Sequence, residues 1–77
     1  MEVKVYVQPK PTILDPQGQA VAGALRQLGF EVNDVRVGKE IIVDIATEDE
    51  EEALEMARSM CRKLLANPVI EDFSCQI

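Results

Sequence analysis

The sequence predicts an α+β domain of order β-α-β-β-α-β: a ferredoxin-like sheet with two helices on one face, formed within one chain or completed across a dimer. Three observations predict it. Short runs in which apolar and polar residues alternate lie near both ends and in the middle of the chain. Two longer segments repeat apolar residues at helical spacing. Proline, glycine and helix-capping residues fall between these segments, where elements should start and stop.

The first run, Val3-Lys4-Val5-Tyr6-Val7, alternates strictly and predicts a strand with its three valines buried. Pro9 and Pro11 end it, because proline has no N–H for the ladder. In Leu14-Asp15-Pro16-Gln17-Gly18, Asp15 suits a helix N-cap and Pro16 the first helical position. The helix that follows should bury Val21, Ala24, Leu25 and Leu28. Gly29 is placed to end it in a left-handed conformation, with Phe30 as the apolar contact beyond. Val32 to Val37 predicts a second strand with Val35 and Val37 on one face, and Gly38-Lys39 a tight turn. Ile41, Val43 and Ile45 predict the buried face of a third strand, with Ile42 and Asp44 opposite.

Thr47 and Glu50 have capping-box spacing, which predicts Thr47 as the second N-cap. The carboxylates of Glu48 to Glu52 suit a first helical turn, where the macrodipole favours them and where they splay too widely for a cation site. Ala53, Ala57, Met60 and Leu64 define the inward line of this helix, flanked by Leu54, Cys61 and Leu65. Asn67-Pro68 stops it. A last strand is predicted from Val69, with Phe73, Cys75 and Ile77 inward. Glu71 falls on that same face, which requires either the sheet margin or a shifted register. The second face of the sheet then carries Lys4, Tyr6, Gln8, Asp34, Arg36, Ile42, Asp44, Ile70 and Asp72. Apolar Tyr6, Ile42 and Ile70 among charges predict an interface without naming its partner, and the sheet edges offer a second route to association.

Size and composition bound the function. A chain of 77 residues is one domain, 1–77. At this size only about 60% of the unfolded surface is buried, so help from a partner chain is unsurprising. The net charge is −6, with one Tyr, two Phe and no Trp. That leaves neither the cations for phosphates nor the platforms for bases, so no nucleic-acid partner is expected. No apolar run approaches the ~20 residues that span a bilayer, and the N-terminus resembles a strand more than a signal peptide. No membrane partner is expected, and the compartment is read as cytoplasmic. Cys61 and Cys75 sit in apolar patterns and are read as buried reduced thiols, with a fortuitous or redox-dependent contact as the alternative. The chain has no histidine, which removes the commonest general base and metal ligand and any Ser-His or Cys-His pair. No catalytic, cofactor-binding or metal-binding residue is assigned.

The helix start at Asp15–Gly18 could in principle hold a phosphate. Asp15 would occupy those donors itself and repel an anion, so a cap or contact loop is the better reading. Arg36 and Lys39 could grip a partner's carboxylate or phosphate, or supply ordinary surface charge. The fold decides little, since ferredoxin-like domains serve many functions. A small-molecule-sensing regulatory domain of the amino-acid-binding type stays open, because such sites form at subunit interfaces and leave few motifs. A structural homo-oligomer also stays open.

Three runs carry a resemblance. Val7-x-x-Lys10-x-x-Ile13-Leu14-Asp15-Pro16-Gln17-Gly18-x-Ala20-Val21-x-x-Ala24-Leu25 is the first. Val35-Arg36-x-Gly38-Lys39 is the second, and Met60-Cys61-x-Lys63-Leu64-Leu65-Ala66-Asn67-Pro68-Val69-Ile70-Glu71-Asp72-Phe73 the third. In order and spacing they resemble the PurS family, small subunits of phosphoribosylformylglycinamidine synthase. The resemblance implies a non-catalytic dimer in a three-component enzyme of purine synthesis. A PurL synthetase there uses ATP and Mg, a PurQ glutaminase releases ammonia, and the small subunit joins the two and helps ammonia pass. Beside it, Asp15, Pro16, Gln17, Gly18, Arg36 and Lys39 are read as partner contacts, and Tyr6, Ile42 and Ile70 as dimer contacts.

Overall fold

The computed structural model describes residues 1–77. Its elements are β1 (Glu2–Pro9), α1 (Pro16–Gln27), β2 (Lys39–Asp44), α2 (Glu50–Met60), a π-helical turn (Cys61–Leu65) and β3 (Glu71–Gln76). β1 is the central strand of a three-stranded antiparallel sheet of order β2-β1-β3. Its register sets Val5 between Ile41 and Cys75, and Val7 between Lys39 and Phe73.

The alternation in β1 decides the core. Val3, Val5 and Val7 are at most 2% exposed, and Ala53, Ala57 and Cys61 of the second helix lie over them at 0%. Ile45 and Ala66 complete the buried cluster. Residues this small on the helix face bring the backbone close to the sheet, so a modest set of side chains fills the space without voids.

Several expectations shift in detail. The N-cap of α2 is Asp49, whose carboxylate accepts from the Glu51 N–H at 3.0 Å; Thr47 instead accepts from the Asp49 N–H one turn earlier. Asp and Thr cap alike, so spacing alone could not choose between them. Leu64, expected inward, is 83% exposed. The helix widens at Cys61, where the Cys61 carbonyl accepts from the Ala66 N–H at 3.1 Å, five residues on. The extra residue in that turn carries Leu65 towards the sheet and Leu64 away from it. β3 starts at Glu71 and not at Val69, since Asn67 and Ile70 are tied up in a turn. Glu71 does lie at the sheet margin, opposite Pro9, and its carboxylate accepts from the Asn67 N–H at 2.7 Å. Ile77, expected inward, follows the last ladder residue and is exposed.

The larger difference concerns α1 and the segment after it. α1 starts and stops as expected: Asp15 caps it, Pro16 opens it, and Gly29 at φ 94° closes it with the Phe30 N–H on the Leu25 carbonyl. Yet no α1 residue belongs to the core cluster, and only Gly18 and Ala22 of the helix are buried. Val21, Ala24 and Leu28, expected in the core, are exposed, and so is Phe30. The chain is accordingly elongated, 47 × 23 × 14 Å with a radius of gyration of 15.6 Å. A compact chain of this length would have about 11–12 Å.

Residues 32–37, expected as a strand, form no ladder within the chain. No backbone N–H or C=O from Glu31 to Gly38 makes a backbone–backbone hydrogen bond. Both edges of β1 are already occupied, and polar side chains lead this segment past the end of β1 instead of alongside β2. Arg26 donates to the carbonyls of Val32 and Asn33, Arg36 to those of Pro9 and Lys10, and the Val37 N–H donates to Asp15.

Ala57→Leu should cost about 1–3 kcal/mol by urea unfolding, because the added atoms have no room between α2 and β1. An unchanged midpoint would mean that the helix does not lie against the valines.

Candidate functional site

The three motif-bearing runs converge on one end of the sheet, around Pro9 and Lys10. Asp15 makes the first link. One carboxylate oxygen accepts from the Gly18 N–H at 3.0 Å and the other from the Val37 N–H at 2.8 Å. The same side chain thus caps α1 and clamps the second run to the first. These two N–H groups, that of Val37 foremost, with the Arg36 charge nearby, hold the Asp15 carboxyl below its usual pKa. Gly18 is required by the clamp: a Cβ there would meet the Val35 carbonyl oxygen at 2.2 Å and the Asp15 carboxylate at 2.6 Å.

Arg36 makes the second link. Its guanidinium donates to the Pro9 carbonyl at 2.8 Å and the Lys10 carbonyl at 2.5 Å, with Asp34 at 3.9 Å. The third run joins through Lys10, whose backbone N–H donates to the Ile70 carbonyl at 2.9 Å and whose Nζ pairs with Asp72 at 2.8 Å. Lys10 is therefore the residue on which the runs meet.

Two shallow clefts flank this node. One, of about 320 Å³, is lined by Thr12, Ile13, Leu14, Asp15, Asp34 and Arg36 among others. The other, of about 160 Å³, is lined by Gln17, Gly38, Lys39 and Glu71 among others. Five of the six expected partner-contact residues thus fall at this end of the molecule by cleft or clamp, and Pro16 lies exposed between Asp15 and Gln17. Their tasks differ. Asp15, Gly18 and Arg36 are engaged inside the chain, whereas Pro16, Gln17 and Lys39 are exposed and Lys39 has no ionic partner.

Tyr6 and Ile42 project from the sheet face opposite α2 and are diagonal neighbours, since Tyr6 lies opposite Glu40 and Ile42 opposite Lys4. Ile70 is set apart from them, in the turn before β3. All three are exposed, at 37–58%. The more exposed apolar groups lie elsewhere: Leu14 at 66% and Leu28 at 74% on either side of α1, and Leu64 at 83% and Val69 at 77% beyond α2; Phe30, after α1, equals Ile42 at 58%. Sequence reasoning did find the α1 stripe, and assigned it to the chain's own core.

An apolar groove of about 460 Å³ runs along the second helix beside β2, lined by Val43, Met56, Met60, Leu64 and Leu65 together with Ser59 and Lys63. No cluster of three or more Cys, Asp or Glu is placed to hold a metal ion, and no helix is long and apolar enough to cross a membrane. The geometry offers apolar surface, an unpaired backbone segment and a polar node, which are the materials of association.

Residues 2–77 match the family model PurS, phosphoribosylformylglycinamidine (FGAM) synthase. The chain belongs to the PurS family. The PurS subunit of FGAM synthase from Bacillus subtilis is 46% identical over 77 residues, which span 99% of this chain and 90% of that protein. PurS of Methanocaldococcus jannaschii, one of the subunits of formylglycinamide ribonucleotide amidotransferase in the purine biosynthetic pathway, has a similar structure. It gives a TM-score of 0.84 at 39% identity, covering 97% of this chain and 92% of that one. A chain of the PurLQS structure from Thermotoga maritima gives 0.88 at 32% identity, with 97% and 93% covered. Agreement along nearly the whole length with PurS chains covers the clamp, the node and the stand-off helix together.

The clamp makes a prediction of pH dependence. A carboxyl with a lowered folded pKa contributes stability that is present above its unfolded value near 3.8 and lost as pH falls through the folded value. The protection factor of the Val37 amide, its exchange rate taken against the intrinsic rate at each pH, should therefore stay constant down to pH 3.8 and fall as pH drops through the lowered Asp15 value. Asp15→Ala should give fast exchange at every pH. Equal protection in that variant would remove the clamp. Gly18→Ala should release the same amide by pushing Val35 away, with the β1 amides still protected.

Proposed function

We propose that this chain is the non-catalytic small subunit of the glutamine- and ATP-dependent FGAM synthase of de novo purine biosynthesis. In this reading a homodimer bridges a PurL synthetase and a PurQ glutaminase in the cytoplasm and helps ammonia pass between them. ATP and Mg belong to the synthetase. Passing ammonia calls for packed surfaces that exclude water and not for titratable groups.

The observation that carries the reading is the uncovered apolar face of α1. Burying what Leu14, Val21, Leu28 and Phe30 still expose would gain about 4–7 kcal/mol. That is comparable to the whole stability of a small domain, about 5–15 kcal/mol. A second copy suits as the cover, because it brings the groove along α2, and β2 has a free edge beside that groove for the unpaired segment 31–38. Such an exchange would complete the β-α-β-β-α-β pattern between two chains. The surface left outside it includes Gln17 and Lys39, which suit contact with the larger subunits. Solution of the T. maritima relative as PurLQS supports partners of that kind.

Reconstitution with the synthetase and glutaminase tests the role. Omitting the chain should abolish glutamine-dependent FGAM formation and spare ammonia-dependent formation. Unchanged glutamine-dependent activity would overturn it, and tight binding of an amino acid or nucleotide by the isolated chain would then favour a sensing domain. For the dimer, Leu28→Glu combined with Phe30→Glu should shift sedimentation from dimer to monomer at micromolar concentration. Lys39→Ala should keep the dimer and weaken co-elution with the larger subunits.

A further inference from the structure

Cys61 and Cys75 are 14 positions apart in sequence, and their Sγ atoms lie 3.9 Å apart. Both are free thiols. Cys61 opens the π-helical turn and is fully buried. Cys75 lies on β3 opposite Val5 and is half-buried. The assembly role uses neither.

The separation is van der Waals contact, and a disulfide requires about 2.0 Å. Both residues sit where the structure can yield that movement. The π-turn is a local widening of the helix, and β3 is an edge strand paired only with β1. Access is unequal. Burial, with Cys75 alongside, pushes the Cys61 thiol up to about 11, so it is a poor nucleophile towards a reagent in solution. Cys75, half-buried on an edge strand, is the less enclosed of the two thiols.

We propose that Cys61 and Cys75 form a reversible intramolecular disulfide when the protein meets a low-molecular-weight disulfide such as oxidised glutathione, stapling the end of the second helix to β3. The Cys75 thiolate attacks one sulfur of the reagent, forming a mixed disulfide and releasing one glutathione thiolate. Cys61, its proton passed to water, then attacks the Cys75 sulfur and displaces the second glutathione thiolate. Two protein thiols are oxidised, one reagent disulfide is reduced, and the two released thiolates take up the two protons. The staple closes a loop that contains Leu64, Val69 and the turn that positions Glu71 and Asp72. It therefore stiffens one wall of the polar node and one end of the apolar groove.

The test treats the full chain with oxidised glutathione and maps the product by mass spectrometry. The expected product is a monomeric chain lighter by two hydrogens, with a Cys61–Cys75 cross-linked peptide. Its melting temperature should rise by about 10 °C and return after dithiothreitol. Cys75→Ser should show neither the cross-link nor the rise, and Cys61→Ala should stop at the glutathione adduct on Cys75. A lasting adduct in the wild-type chain, a Cys75–Cys75 bond between chains, or two thiols that stay alkylatable would each overturn the proposal.

Discussion

The close packing of Ala53, Ala57 and Cys61 against Val3, Val5 and Val7 is the contact on which the rest of this structure depends. It fixes which face of β1 is inside, and hence which residues of β2 and β3 turn inward beside it. It also fixes the depth of the helix. Alanines on the contact line bring α2 close, and the π-helical turn at Cys61 keeps Leu65 and Ala66 towards the sheet as the helix ends. A three-stranded sheet with one helix seated this way has a small core, and α1 stays outside it.

That exclusion shapes function. α1 is well formed, with a capped start and a glycine-closed end, so its isolation does not come from weak local structure. What it lacks is a surface. Meanwhile the sheet has a free edge on β2, and the groove beside it is apolar. A segment, 31–38, without a ladder partner and an uncovered helix stripe are of no use to an isolated chain and useful to an assembling one. A subunit without histidine or metal site can still contribute to an enzyme by this means.

The polar node serves another purpose. Asp15, Arg36 and Lys10 hold α1 and the segment after it to the end of β1 by hydrogen bonds. Directional hydrogen bonds can fix a segment that would otherwise be free to drift, and their geometry is demanding, as the space around Gly18 shows. The exposed positions nearby, Gln17 and Lys39, are therefore presented from a fixed frame, which is what a contact surface for larger subunits requires.

The sequence by itself determined the elements: the valine alternation of β1, the Asp15-Pro16 start and Gly29 end of α1, and the inward Ala53-Ala57 line. These are local properties, set by side-chain periodicity and backbone stereochemistry, and they are legible one residue at a time. Only the tertiary structure decided where α1 lies and that residues 32–37 pair with no strand of their own chain. An apolar stripe records that a face must be buried but not against which chain, and an alternating run records a strand's shape but not its neighbour. The roles of Asp15, Arg36 and Lys10 were hidden for the same reason, because each acts on backbone groups distant in sequence. Cys61 and Cys75 each fit an apolar pattern, and that they touch follows from α2 seating on β1 beside β3, a contact that exists only once the chain has folded.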